Sequence, residues 1–239
     1  MNTVYLEEVD STNLYAKSNL ENLADKSIVH AAKQTAGRGR LQRSWIDLGN
    51  ENLFLSFVLK PSQTFSEKYS NLTQYLCVVL SKVLENYGLN PQIKWPNDVL
   101  INGKKIAGIL SETVMQGNKF KGLVLGIGVN LNASKNSLSQ ITDKEATALN
   151  IEINKDVDKD AFLKELTDKF FENYEKFLDV GFEFIKEDYV SRACFIGKEV
   201  CVQGFSDKKC GLAKEINNKG ELVLLKNNEE LVLTIGDIL

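Results

Sequence analysis

Apolar positions alternate in short runs early in the chain, follow helical spacing in the middle, and alternate in short runs again at the end. Asn2–Val9 and Ile28–Gln34 read as strands. Leu53–Lys60 reads as a third, with Leu53, Leu55, Phe57 and Leu59 on one face, and Pro61 ends it. Between the first two strands, Asp10-Ser11-Thr12-Asn13 offers several N-caps for a helix through about Leu23. Thr64-Phe65-Ser66-Glu67 has the form of a capping box. It predicts a long helix to about Tyr87 with Leu72, Leu76, Val79, Leu80 and Val83 at helical spacing, stopped by Gly88.

Pro96 interrupts the apolar run Ile93–Ile101 and predicts an edge or a local break. Asn97 and Asp98 then either turn their side chains into whatever the break borders or form an ordinary Pro-Asn-Asp turn. Asn102-Gly103 is a hairpin signal. Simple alternation puts Lys105, Ala107 and Ile109 on one face of the return strand, Lys104–Met115, and Gln116-Gly117-Asn118 turns the chain again. In Phe120–Asn132, Leu123, Leu125, Ile127, Val129 and Leu131 form an apolar face. The other face reads Gly122, Val124, Gly126, Gly128, Asn130. So bare a face admits either a ligand or a tightly packed helix.

Asn132–Ile141 reads as a loop, and Thr142-x-x-Glu145 as a cap for a short helix. Asp160–Val180 is an amphipathic helix with Phe162, Leu166, Phe170 and Tyr174 at helical spacing, and Phe182–Val190 continues as another after Gly181. From about Ile196 short strand-like runs, Val200–Gln203, Cys210–Ile216, Glu221–Leu225 and Glu230–Thr234, are divided by Gly204, Asn217–Gly220 and Asn227-Asn228. The pattern predicts an α+β domain over 1–191 and a small β-barrel over 192–239.

Composition narrows the class. The 239 residues are 43% hydrophobic and 26% charged, as in an ordinary soluble globular protein, and the net charge of −3 gives no overall basic field for nucleic acid. Met1–Val9 does not read as a signal peptide, and no apolar run has the length of a membrane span, so a cytoplasmic location is expected. Cys77, Cys194, Cys201 and Cys210 show no CxxC spacing and are expected to be reduced thiols. With His30 the single histidine, set in an apolar strand, neither a zinc site nor a Ser-His-Asp device is expected.

The candidate chemistry centres on Gln34–Trp45, between two predicted strands. Gly37 and Gly39 let a ligand approach the main chain. Arg38, Arg40 and Arg43 offer forked, permanently charged donors for carboxylate or phosphate, and Trp45 can cover a flat ring. The stretch lacks the Gly-Lys-Ser/Thr of a phosphate loop and is not a GxGxxG fingerprint. Beside the first predicted helix, Ser11, Thr12 and Asn13 add hydroxyls and an amide, for capping or for a ligand.

These residues match a known pattern. Gly37-Arg38-Gly39-Arg40-x-x-Arg43-x-Trp45, then Lys94-Trp95-Pro96-Asn97-Asp98 with Lys105-x-x-Gly108-Ile109, then Gly126-Ile127-Gly128-Val129-Asn130 resemble the three signatures of the biotin–protein ligases, in their order and spacing, over roughly Val4 to Ile238. The resemblance implies a catalytic domain with a mixed, mainly antiparallel sheet like that of class II aminoacyl-tRNA synthetases, plus an SH3-like C-terminal domain. It resembles the ligase-only type, with no operator DNA binding expected.

The implied reaction joins biotin to ATP as biotinyl-5′-AMP, then transfers biotin to a lysine of the biotin carrier domain of a carboxylase, with Mg²⁺ neutralising the phosphates. By resemblance Ser11, Thr12, Asn13, Gln34, Gly37, Arg38, Gly39, Arg40, Lys105, Gly108, Gly126 and Gly128 bind biotin. Arg38, Arg40, Arg43, Trp45, Asn97, Lys105 and Asn130 bind ATP. Lys105, Arg40 and Asp98 act in the chemistry, Asp98 by orienting the incoming amine or taking its proton. Gly126 and Gly128 would leave room for the ligand over the sheet. Family members include monomers and homodimers, and the resemblance names no metal-binding residue. Some members reach the nucleotide with a basic residue beyond the equivalent of Leu239. This sequence ends Gly236-Asp237-Ile238-Leu239, which leaves a C-terminal contact to ATP an open question. The rival readings are a lipoate–protein ligase or lipoyl transferase of the same fold and a non-enzymatic nucleotide- or RNA-binding module.

Overall fold

A computed structural model describes residues 2–239 apart from 42, 49–51, 63, 142–144 and 206. The strands are β1 (Thr3–Val9), β2 (Ser27–Gln34), β3 (Leu53–Leu59), β4 (Pro91–Lys94), β5 (Asp98–Ile101), β6 (Lys104–Gln116) and β7 (Lys119–Val129), followed by β8 (Glu199–Gln203), β9 (Lys208–Ile216), β10 (Leu222–Lys226), β11 (Glu229–Leu233) and β12 (Asp237–Ile238). The first seven form one sheet in the order β1-β2-β3-β7-β6-β5-β4, and the last five a second in the order β11-β10-β9-β8-β12. Among the described strands β1 and β2 pair in parallel, and the other strand pairs are antiparallel.

The helices are α1 (Thr12–Ser18), α2 (Leu72–Asn86), α3 (Lys135–Leu138), α4 (Leu149–Ile153), α5 (Lys159–Glu172), α6 (Tyr174–Val180) and α7 (Lys186–Ser191). Among the described residues none is long and apolar enough to cross a membrane.

The two faces of the large sheet differ. On one, Leu53, Leu55, Phe57, Leu59, Leu123, Leu125, Ile127 and Val129 pack with the apolar sides of α2, α5 and α6 in the main core. Phe57 stacks on Phe170 with ring centroids 4.1 Å apart, and Tyr75 on Phe177 at 4.6 Å. Burying an aromatic side chain of this kind contributes roughly 2–3 kcal/mol. On the other face α1 covers only part of the sheet, through Ala16 and Leu20 against Val29, Val58 and Val124. Further along that face lie Gly108, Gly126 and Gly128.

The second sheet shares the main core through Ala213, Ile216, Leu222 and Leu224. Its turn at 217–220 is gripped by the first domain: Gln74 Nε2 and Trp95 Nε1 both donate to the Gly220 carbonyl, at 2.8 and 3.2 Å. Pro96, in a cis peptide, lies in the turn between β4 and β5. β4 is the edge strand of its sheet, and Ala193 pairs alongside Ile93. His30 is half-buried against Tyr5, 5.2 Å between rings; burial, with Lys159 nearby, pushes its imidazole below the ordinary value.

Several expectations need correction. The helix starting at Thr12 stops at Ser18 and gives way to a 3-10 turn, Leu20–Asn22. No capping box forms at Ser66: Glu67–Asn71 is 3-10, and α2 starts only at Leu72. The predicted helix 160–180 breaks at Asn173, whose φ of −124° leaves the helical region. Phe182–Ile185 is 3-10, with α7 following. The loop after Asn132 contains α3, capped reciprocally by Ser134 and Ser137. The cap expected at Thr142 lies outside the described residues. Cys201 and Cys210 are not reduced thiols but a disulfide. They are direct partners across β8 and β9, so strand register joins what spacing along the sequence left apart.

Candidate functional site

A cleft of about 1160 Å³, counted with its open mouth, lies on the face of the sheet that α1 leaves bare. Its walls come from the start of α1, the loop after β2, the turn before β5, the glycine stripe of β6 and β7, and β12. Of the residues predicted for a site, all line this cleft except Gly37. Gly37 acts behind the wall. A Cβ there would lie 2.5 Å from the Trp45 carbonyl oxygen, so the missing side chain lets the loop fold back on itself. The return is held by Trp45 N–H to the Gly37 carbonyl at 2.9 Å and Gly39 N–H to the Arg43 carbonyl at 2.7 Å.

One end of the cleft is neutral and fully networked. Thr12 donates twice to Gln34 Oε1, from its backbone N–H at 2.8 Å and its hydroxyl at 3.1 Å. Ser56 Oγ lies 2.8 Å from Thr12 Oγ1 and 2.6 Å from Asn13 Oδ1. Asn13 Nδ2 donates to the Leu110 carbonyl at 3.2 Å and to Glu112 at 3.0 Å. Ser11 holds the N-cap position of α1 yet makes no side-chain cap. The polar cluster at this helix start is therefore spent on the cleft and its supports rather than on capping.

The other end is cationic, and each cation rests on an acid. Lys105 Nζ is 2.7 Å from Asp98 and 5.3 Å from the Trp45 ring. Arg40 donates to Asp237 at 3.0 Å and to the Gly236 carbonyl at 3.2 Å, and Arg43 donates to Asp237 at 3.3 Å. Arg38 reaches Glu112 at 3.1 Å, which Lys17 also holds at 2.7 Å. Burial pushes the Glu112 carboxyl up, but hydrogen bonds from Lys17 and Asn13 and the charges of Lys17 and Arg38 outweigh it. The group is held below the ordinary carboxylate value.

Alternation along β6 misplaces Lys105. Ala107 and Ile109 point into the main core, whereas the Lys105 ammonium lies 3.0 Å from where a Cβ of Gly108 would stand, in the cleft. The cause is a bulge: Val99 pairs with Ala107 but the next residue, Leu100, pairs with Lys105, leaving Ile106 as the extra residue. The C-terminal strand is brought to the cleft. Asp237 and Ile238 form part of the wall although the chain carries no basic residue there.

The glycine stripe serves the protein's own side chains. A Cβ on Gly126 would run into the Asn13 amide, and one on Gly128 would lie 2.5 Å from Trp45 Cε2. Open space over these two glycines, as expected from the resemblance, is thus replaced by close approach of Asn13 and Trp45. Among the described residues Trp45 Nε1 and Asn130 Oδ1 are buried with no hydrogen-bond partner. Asn97 and Asn130 spend their Nδ2 groups on the carbonyls of Ile109 and Thr147, each at 2.9 Å. The sequence reading missed Ser56, Glu112 and Asp237. Ser56 had a signal, as the lone polar residue in Leu53–Leu59.

No group of three or more His, Cys, Asp or Glu suited to a metal ion exists among the described residues. The acids at the cleft, Asp98 and Asp237, already serve Lys105 and the arginines. A protein-held Mg²⁺ does not fit this arrangement. The geometry suits a ligand with a neutral polar head at one end and an acid group meeting phosphate at the other.

A model of the Biotin/lipoate A/B protein ligase family matches residues 5–130. The chain is 32% identical over 228 residues to the bifunctional ligase/repressor BirA of Bacillus subtilis, covering 95% of this chain and 70% of that protein. To the biotin–[acetyl-CoA-carboxylase] ligase of Paracoccus denitrificans it is 31% identical over 226 residues, covering 92% of each. Among solved structures, the biotin protein ligase from Aquifex aeolicus in complex with biotin and ATP matches with a TM-score of 0.85 at 29% identity, over 100% of this chain and 97% of that one.

Proposed function

Since the chain belongs to the biotin/lipoate A/B protein ligase family, we propose that it is a biotin protein ligase that forms biotinyl-5′-AMP and passes biotin to a lysine on the carrier domain of a carboxylase. The observation that carries this reading is the division of one cleft into a neutral polar end and a cationic end. Biotin's ureido ring is neutral and holds both donors and acceptors. Its carboxylate must meet a triphosphate. Each half of the cleft answers one of these needs.

In the first step a biotin carboxylate oxygen attacks the α-phosphorus of ATP, the bond to the β-phosphate oxygen breaks, and pyrophosphate leaves. Both partners are anions, so fixed positive charge decides the barrier. Lys105 supplies it at the point where carboxylate and α-phosphate meet, with Arg38, Arg40 and Arg43 around the phosphates. Trp45 and Asn130 bring an unpaired donor and an unpaired acceptor to the purine. In the second step the acceptor lysine's amine attacks the anhydride carbonyl, the carbonyl–phosphate oxygen bond breaks, and AMP leaves. Asp98, 2.7 Å from Lys105, orients the amine and receives its proton once Lys105 has turned to the phosphate. No step is routed through a protein-bound metal.

A lipoate ligase shares the family, but the dithiolane ring of lipoate carries no amide to satisfy Thr12, Asn13, Gln34 and Ser56. Covering such a polar set with an apolar ring removes its remaining lone pairs and protons from water without replacing them, which disfavours lipoate. The test is ATP–pyrophosphate exchange with biotin and lipoate supplied in parallel, followed by mass analysis of a purified carrier domain. Biotin-dependent exchange and a biotinylated lysine are expected. Exchange with lipoate alone, or with neither acid, defeats the reading.

A further inference from the structure

Glu112 belongs to none of the sequence signatures and lies behind the wall of the cleft, yet three side chains converge on it. From α1, Asn13 and Lys17, one helical turn apart, reach its carboxylate at 3.0 and 2.7 Å. Arg38 arrives from the loop after β2 at 3.1 Å. Its side chain is 13% exposed, so the interactions are formed largely out of water.

The arrangement fixes which way round the Asn13 amide sits. The atom of that amide facing Glu112 also faces the Leu110 carbonyl, and both neighbours are acceptors. It must therefore be the NH₂ group. The amide oxygen is turned to the opposite side, 2.6 Å from Ser56 Oγ and beside Gly126, at the neutral end of the cleft. A serine hydroxyl rotates and accepts as readily as it donates, so Ser56 does not enforce this sense. Glu112 and the Leu110 carbonyl do, the carboxylate through the stronger, charge-assisted bond. With that charge gone, a flipped Asn13 presents a donor where an acceptor stood. Against a rigid ureido ring, one reversed position sets donor against donor.

We propose that Glu112 is a positioning residue for biotin recognition, fixing the acceptor sense of Asn13, with Lys17 and Arg38 as the counter-charges that keep it ionised. The proposal rests on the biotin reading above. It acts on the ligand's ring through Asn13, and its contact with Arg38, which the phosphates take over, is read separately in the KM for ATP.

The experiment measures ATP–pyrophosphate exchange by the full chain with biotin and ATP varied separately, for the parent, Glu112→Gln, Asn13→Ala and the double variant. Glu112→Gln is expected to raise the KM for biotin about tenfold while kcat and the KM for ATP move by less than about threefold. When Asn13 is already alanine, the same change should add less than about twofold. Equal losses in kcat and both KM values, or the full tenfold effect in the Asn13→Ala background, would reduce Glu112 to a scaffold residue and overturn the proposal. Should Glu112→Gln melt below the assay temperature, Glu112→Asp takes its place, keeping the charge but withdrawing it by one methylene. A selective rise in biotin KM then supports the proposal, and an unchanged biotin KM or a uniform loss overturns it. Absence of biotin-dependent exchange in the parent is a failure of the biotin reading, and is seen before any variant is compared.

Discussion

The two ends of the cleft are organised on opposite plans. At the neutral end Thr12, Asn13, Gln34 and Ser56 hold one another directly, in a network whose donors and acceptors are already assigned. At the cationic end the charged groups of Arg38, Arg40, Arg43 and Lys105 do not hold one another, and each leans on a carboxylate: Glu112, Asp237 or Asp98. A neutral ring is recognised by a pattern, and a pattern works best when it is rigid before the ligand arrives. A reacting pair of anions is stabilised by charge, and like-charged groups left facing one another would repel. Acids hold those cations in place until phosphate takes over their role. The neutral end is thus expected to set affinity, and the cationic end rate.

The sharpest way to break this comparison is at Lys105. Lys105→Ala should lower the rate of ATP–pyrophosphate exchange by about 10²–10³-fold with little change in biotin affinity, as removal of a transition-state charge does. Near-normal exchange would remove Lys105 from the chemistry. Next in size, Asp98→Asn should slow transfer to the carrier domain by about 10²-fold while exchange falls by less than tenfold. The reverse order, in single-turnover assays of the two steps, reassigns Asp98 to the nucleotide.

Arg40→Gly cuts the loop from Asp237 and the Gly236 carbonyl. It should speed release of the adenylate by about tenfold, roughly 1.4 kcal/mol, and label bystander lysines on added protein. Adenylate retained as in the parent contradicts a covering role for the loop. Gly128→Ala drives a methyl into the Trp45 ring and should raise the KM for ATP several-fold, with biotin affinity nearly intact. A larger effect on biotin than on ATP would mean the stripe serves the wrong end. The smallest effect belongs to the neutral end. Ser56→Ala removes one hydrogen bond worth about 1 kcal/mol, so the biotin KM should rise about fivefold at constant kcat. A fall in kcat instead would show that the two ends are not separable.

How far the site was legible follows from how its parts are spaced. The arginine loop, the Lys-Trp-Pro-Asn-Asp turn and the glycine strand are each contiguous, so their residue types and local geometry stand on the page together. The supporting acids do not. Glu112 meets Asn13 and Arg38 across 99 and 74 positions, and Asp237 meets Arg40 across 197. Nothing in the local pattern marks an acid on a strand as a partner of so distant a group. The orientation of Lys105 illustrates the same limit at short range. Period-2 alternation is valid only for an uninterrupted ladder, and the extra residue Ile106 reverses it.

The sequence by itself determined the strands apart from β12, the longer helices, the division into a larger α+β part and a smaller β part, and the residue types that line the cleft. These follow from hydrophobic period and turn chemistry, which are properties of neighbours along the chain. Only the tertiary structure decided that β12 walls the cleft, that Cys201 faces Cys210, that Asn13 and Trp45 lie on the glycines, and that the cations rest on acids, Arg40 and Arg43 sharing Asp237. Those outcomes depend on sheet order and register. The burial of the whole core fixes both, so no shorter segment contains them.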